Sequence, residues 1–283
     1  MKTTKETFEA RDGLQLFYRD WQPEGDATAV VAVIHGYGDH SGRYGHLAEH
    51  LVRAGYAVCA YDLRGHGRSH GPRGHVGHFS DYVEDTATFL GLVRERWPRP
   101  SVTLFGHSMG GLVALRYAEE NPGDVGSLIL SSPFLKMRVA MSAWRLRFLR
   151  VAAAVTPRSP IANPVKGEML SRDADQAAAY ETDPFVHHFA TAGWAGEVLQ
   201  AQARARRSAG VLSCPLLVVY SADDPIADPA AIDEFCARVT AGDKTVLRYE
   251  GYRHETFNDL GRETVLGEIE GWLATHVARR VRL

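Results

Sequence analysis

Ser108 stands between two glycines in the run Gly106-His107-Ser108-Met109-Gly110. A serine hydroxyl is a weak nucleophile at neutral pH, so its chemistry needs a base to take the proton and an acid to orient that base. The apolar run SVTLF (101 to 105) precedes this G-x-S-x-G pattern, and a helix-forming stretch rich in Ala and Leu follows it. Strand, sharp turn and helix in that order present the serine at the end of a sheet. So tight a turn leaves no room for large flanking side chains, which accounts for Gly106 and Gly110.

Position must choose the base among thirteen histidines. His254, in EGYRHETFND, follows the apolar run TVLRY and precedes the last helical stretch, where a loop at the sheet's C-terminal edge can return to Ser108. His276 comes later, in a helical segment, and reads as a solvated surface residue. His66, His70, His75 and His78 lack metal-ligand spacing, and no metal site is expected. The acid belongs on the turn after PLLVVY, where YSADDPIADP offers Asp223, Asp224 and Asp228. Asp228 precedes Pro229 and a helical run, the pattern of an N-cap with Pro at N1. Asp223 and Asp224 both remain candidates on region alone. Pro225 favours Asp224, because a residue before proline is pushed to extended geometry that projects its side chain off the strand end. Serine, aspartate and histidine then follow one another in the chain order of elbow-type hydrolases.

The negative charge that develops on the substrate carbonyl needs donors. His35-Gly36-Tyr37-Gly38 directly follows the apolar run AVVAVI, and a loop there can aim the Tyr37 N–H at the oxyanion beside the N–H of Met109. His35 reads as a structural bond-maker. The expected chemistry is acyl transfer in two halves, through an acyl-enzyme on Ser108 that water hydrolyses, and it requires no cofactor.

These groups need a scaffold. Asp12-Gly13 joins two alternating runs into an opening hairpin. Six short apolar runs then alternate with helical stretches: 29 to 34, 56 to 61, 101 to 105, 127 to 130, 215 to 220 and 245 to 249. Such runs imply an α/β fold, a mostly parallel central sheet with helices on both faces. Some 84 residues separate the fourth run from the fifth with helical periodicity and no strand of comparable strength. A loop of that length is anomalous in a compact domain, so an inserted helical cap is expected. The division is core 1–132, cap or lid 133–210 and core 211–283. Within the cap, Met137, Met141, Trp144, Phe148, Val151 and Val155 recur at helical spacing while Arg138, Arg145 and Arg150 lie elsewhere. Two readings stand for that stripe: burial against the core or an acyl tunnel, or a basic amphipathic lid in transient contact with a lipid surface.

A formal charge of −2 over 283 residues provides no basic field for nucleic acid. The N-terminal MKTTKETFEARDG has no apolar signal core, and no run of 18 apolar residues marks a transmembrane segment. Three widely spaced cysteines, Cys59, Cys214 and Cys236, read as core filler in a reducing compartment, so a cytoplasmic location is expected.

The runs HGYGDHSGRY (35 to 44), YDLRGHGRSHGPRGHV (61 to 76), GHSMGG (106 to 111), SSP (131 to 133) and YETDPFVH (180 to 187) together resemble the monoacylglycerol lipase and lysophospholipase-like branch of the α/β-hydrolase superfamily. The resemblance covers nearly the whole chain. It implies an α/β-hydrolase fold and a serine esterase that cleaves monoacylglycerols, a small lipid ester substrate, beneath a lid. It further implies that Asp39, Arg43, His107 and Tyr180 surround the glycerol end. Asp39 stands where Glu is commoner, shorter by one methylene. The family's G-x-x-D pattern after the strand implies Asp224 as the acid, with Ser221 in place of the glycine. Rival readings are a lysophospholipase, a short-chain carboxylesterase or thioesterase with the same triad, and a non-catalytic ligand-binding relative.

Overall fold

The computed structural model describes residues 1–98, 101–139, 141–208, 212–241 and 243–278. The expected boundary at 210/211 lies outside the described residues. The chain opens with β1 (Lys2–Glu9) and β2 (Gln15–Gln22), then β3 (Ala29–Ile34), α1 (Gly45–Arg53), β4 (Ala57–Tyr61) and α2 (Phe79–Arg96). Next come β5 (Ser101–His107), α3 (Met109–Glu120) and β6 (Ser127–Ser131). The interval that follows holds α4 (Ala143–Val155), β7 (Pro160–Ala162), α5 (Gly167–Leu170), α6 (Ala174–Thr182), β8 (Phe189–Thr191) and α7 (Ala192–Ser208). The chain then resumes with β9 (Leu216–Ser221), α8 (Pro229–Arg238), β10 (Lys244–Tyr249) and α9 (Arg262–Ala278).

Among the described residues eight strands form one sheet in the order β1-β2-β4-β3-β5-β6-β9-β10. β2 runs antiparallel to both β1 and β4, and every other pairing is parallel. The opening hairpin turns through Gly13 at φ +84°, the left-handed region that glycine enters without a Cβ clash. All six apolar runs are strands, and β3 shows why they read as continuous. Val30, Ala32 and Ile34 point into one core with Leu112 and Leu115 of α3, while Ala29, Val31 and Val33 point into another with Leu47 of α1 and Ile269 of α9. Both faces of the sheet are therefore dry at β3, and every position of that strand is apolar.

Strand order reverses at β3, which pairs with β4 on one side and β5 on the other. A crevice at the C-terminal ends of strands opens at such a switch point. The loops after β3 and β5 carry Tyr37 and Ser108, so topology alone brings these two together.

The interval between β6 and β9 is helical as expected, with one addition: β7 and β8 pair antiparallel as a small separate sheet. The apolar stripe of α4 departs from its burial reading. Leu149 is the buried residue of that helix, whereas Trp144, Phe148, Val151 and Val155 are 67%, 72%, 56% and 73% exposed. α4 packs on α7 through its other side, so the aromatic residues of the stripe face outward.

Candidate active site

The turn between β5 and α3 is as tight as its glycines imply. A Cβ on Gly106 would sit 2.7 Å from the Ala114 Cβ and collide with the Gly110 carbonyl, and one on Gly110 would collide with the carbonyls of Ile34 and His35. Ser108 itself takes φ 54° and ψ −117°, a conformation that costs of order 1–3 kcal/mol in a non-glycine residue. Neighbouring backbone holds it there. The Ser108 N–H donates to Ser131 O at 2.9 Å, and the Ser108 carbonyl accepts from Leu112 N at 3.1 Å and Phe134 N at 3.0 Å.

Ser108 and His254 line one cavity, together with Gly36, Tyr37 and His107. His254 Nδ1 lies 2.6 Å from Asp224 Oδ2, with both side chains buried. The other Asp224 oxygen accepts N–H groups from Ile226 (2.7 Å) and Ala227 (3.0 Å), which fixes the carboxylate on the turn after β9. Asp223 turns the other way, its Oδ2 accepting the Gly251 N–H at 2.6 Å. Ser221, which replaces the expected glycine, donates its hydroxyl to Tyr252 O (2.7 Å) and accepts the Asp223 N–H (3.0 Å). The substitution thus pins the end of β9 to the loop that carries the base. Asp228 caps α8, accepting the Ala230 N–H at 3.1 Å, and pairs with Lys136 at 2.6 Å.

The loop bearing His254 is tied down from several sides. Ser132 Oγ donates to the His254 carbonyl at 2.8 Å, and the Glu255 N–H donates to Leu170 O at 2.9 Å. Asp259, fully buried, accepts from the Arg253, Leu260 and Arg172 N–H groups. His276 departs from the solvated reading: its ring stacks on Trp272 at 4.0 Å and its Nε2 lies 3.1 Å from Asp243.

After β3, the Tyr37 side chain is locked between core and insertion. Its hydroxyl reaches Gly74 O and Phe189 O at 3.1 Å each, and its ring lies 3.7 Å from that of Trp194. Tyr37 is also one of the residues that line the cavity. Met109 is the first residue of α3, where an N–H has no intrahelical acceptor, and its side chain is fully buried. His35 does the structural work expected of it, accepting the Leu63 N–H on Nε2 at 2.9 Å. Burial holds its imidazole neutral by lowering its pKa.

The polar part of the wall gathers Asp39, Arg43, His107 and Tyr180. It also contains Glu255, which residue type and spacing alone do not single out. Arg43 forks onto Glu255, Nη1 to Oε1 at 2.7 Å and Nη2 to Oε2 at 2.8 Å, while Nη1 also reaches Asp39 Oδ1 at 3.2 Å. Asp39 Oδ2 accepts the Tyr44 hydroxyl at 3.2 Å. Burial opposes charge on Asp39, yet the adjacent Arg43 guanidinium holds its carboxyl below the usual range. The Tyr180 ring lies under the Arg43 guanidinium at 5.0 Å. His107 Nδ1 bonds Ser131 Oγ at 3.1 Å, and burial, reinforced by His254 and Arg43, keeps its imidazole neutral. The signal for Glu255 is its setting: an acidic side chain next to the base, in a segment whose following residues Thr256 and Phe257 go to the interior. A carboxylate drawn inside there needs a cationic partner.

Most of the remaining wall is apolar, with Phe134, Met137, Val165, Met169, Leu170 and Ile226, and Asn163 is a polar exception. The arrangement suits a nucleophile, a base and a carboxylate acting on an ester with a greasy acyl group and a small polar head.

Comparison with known proteins follows this geometry. A family model described as "Serine aminopeptidase, S33" matches residues 25–261. The chain is 33% identical over 275 residues to a "Monoacylglycerol lipase" of Mycolicibacterium smegmatis, covering 97% of this chain and 98% of that one. It is also 33% identical over 272 residues to the "Monoglyceride lipase" of Rattus norvegicus, covering 94% and 89%. Among solved structures, the monoacylglycerol lipase of Paleococcus ferrophilus superposes with a TM-score of 0.81 at 31% identity, over 98% of this chain and 100% of that one.

Proposed function

This chain belongs to the serine aminopeptidase S33 family of hydrolases, and on that footing we infer that it cleaves monoacylglycerols into fatty acid and glycerol. His254 takes the Ser108 proton while Asp224 fixes the imidazole tautomer and steadies the imidazolium that forms. Ser108 attacks the ester carbonyl, and the N–H groups of Tyr37 and Met109 receive the oxyanion. One such donor contributes about 3–4 kcal/mol to the barrier reduction. His254 then returns the proton to the departing glycerol oxygen, and water repeats the cycle on the acyl-enzyme.

The observation that carries this reading is the buried 2.6 Å contact of His254 with Asp224, beside a cavity that His254 and Ser108 line together and whose wall is apolar in one part and polar in another. The acyl chain lies along that apolar wall, each buried methylene contributing up to about 0.8 kcal/mol. The glycerol head takes the part lined by Asp39, Arg43, His107 and Tyr180. Residues 133–210 act as the cap, and the outward face of α4 touches lipid surfaces with Trp144 and Phe148 between Arg145, Arg147 and Arg150. No helix among the described residues is long and apolar enough to cross a membrane. We place the protein in the cytoplasm, a reading supported by Cys59 and Cys236, neither of which forms a disulfide.

The test is hydrolysis of a monoacylglycerol series beside diacylglycerols and short p-nitrophenyl esters, with Ser108→Ala as blank. Saturable release of fatty acid from monoacylglycerols, absent in the blank, is expected. Turnover confined to short esters would overturn the reading.

A further inference from the structure

The acidic and basic side chains in the cavity wall, histidines aside, are Asp39, Arg43 and Glu255. One guanidinium is therefore shared by two carboxylates, and the three side chains, in the order Asp39, Arg43 and Glu255, are only 5%, 9% and 3% exposed. Among the neighbouring titratable groups, the His40 imidazole is turned to Asp183 at 2.9 Å, whose carboxylate offsets any charge it carries. His107 is kept neutral by its surroundings, and burial raises the phenols of Tyr44 and Tyr180 so that both stay protonated. Behind His254 stands a further carboxylate, Asp224. The polar part of the wall thus holds a net negative charge in a region largely shielded from water, where charge acts at longer range than on a surface.

An arginine in such a place would ordinarily bind phosphate or carboxylate side-on through two parallel N–H groups. In this protein Glu255 occupies that fork at 2.7 and 2.8 Å, and Asn258 Nδ2 donates to Glu255 Oε2 at 3.1 Å, holding the pair in register. Arg43 is the one guanidinium or ammonium group in the cavity wall among the described residues, so the wall has no second fork to offer an anion. We propose that the Asp39–Arg43–Glu255 cluster is a charge filter that admits neutral, hydroxyl-bearing heads and turns away acylglycerols whose head carries a phosphate, with Glu255 as the residue that tips the balance. This deepens the monoacylglycerol reading and rests on it.

A unit charge roughly 8 Å from another, in an effective dielectric near 20, changes a rate constant by roughly thirtyfold. The experiment compares a 1-acylglycerol with the 1-acylglycerol 3-phosphate of the same chain, both kept monomeric at fixed ionic strength. Wild-type kcat/KM is expected to favour the neutral substrate by roughly thirtyfold or more. Glu255→Gln, and independently Asp39→Asn, each remove one such charge and should narrow that ratio by a similar factor, roughly thirtyfold. The ratio is taken within one preparation, so a smaller folded or active fraction cancels, and a merely structural role would lower both rates together without moving it. Equal turnover of the two substrates by the wild type, or a ratio that neither variant moves, overturns the filter while leaving monoacylglycerol hydrolysis standing. A wild type that hydrolyses p-nitrophenyl esters but not the neutral 1-acylglycerol overturns the functional reading and the filter with it.

Discussion

The two sides of the insertion between β6 and β9 are built to opposite ends. Its inner side is bonded to the loops that carry the site. The Glu255 and His254 N–H groups reach the carbonyls of Leu170 and Met169, the His187 N–H donates to Gly38 O at 3.1 Å, and Trp194 stacks on Tyr37. Trp194 and Tyr180 are only 8% and 1% exposed. The outer side is α4, with one buried residue, a row of exposed aromatic and aliphatic side chains, and arginines between them. One helical segment therefore supplies both a rigid wall and an unpartnered apolar face. The difference teaches that amphipathic spacing reports a stripe without reporting which way it points, since the period is the same for a helix turned in or out.

Mutation can break this contrast, and its scale is set by the loop that the inner side braces. Asp224→Asn should lower kcat on the order of 10⁴-fold by losing the tautomer control of His254, whereas Asp223→Asn, which loses a bond to the Gly251 N–H, should stay within roughly tenfold. Steady-state kinetics on a soluble ester checks both, and equal losses would dissolve the distinction between the neighbours. On the inner side, Trp194→Ala removes a buried ring packed on Tyr37 and should destabilise the fold by about 3–5 kcal/mol. Denaturant unfolding measures that loss, and a change below about 1 kcal/mol would show that the inner side is not the anchor described. On the outer side, Phe148→Ser and Trp144→Ser should leave stability within about 0.5 kcal/mol, because neither ring is buried. Hydrolysis of monomeric substrate should be unaffected, while hydrolysis of monoacylglycerol held in anionic vesicles should fall several-fold. Loss on both substrates alike would assign α4 to the inner wall after all.

Much of the site is legible in the amino-acid sequence, for reasons that stay local. The glycines of the elbow answer to a steric demand within five residues, and His254 to its place between a strand and the last helix. The helix cap at Asp228 is likewise local, set by Pro229 and the turn it opens. The roles less visible are those that depend on a partner distant in the chain. Glu255 meets Arg43 across more than two hundred positions. Ser221 reads as a mere departure from a pattern, and its use shows only when Tyr252 arrives from the far side of β10. His276 reads as a surface residue because its helix gives no sign of the Trp272 ring and Asp243 beside it.

By itself the sequence determined the α/β class, the chain order of Ser108, Asp224 and His254 along the elbow and the loops after it, and the presence of a long helical insertion. Those follow from apolar periodicity and from turn chemistry, which act over a few residues. Only the tertiary structure decided that Ser221 ties the end of β9 to Tyr252, that Arg43 spends its fork on Glu255, and that the apolar stripe of α4 looks outward. Each of these depends on the direction of a side chain relative to a distant element, and packing alone sets that direction.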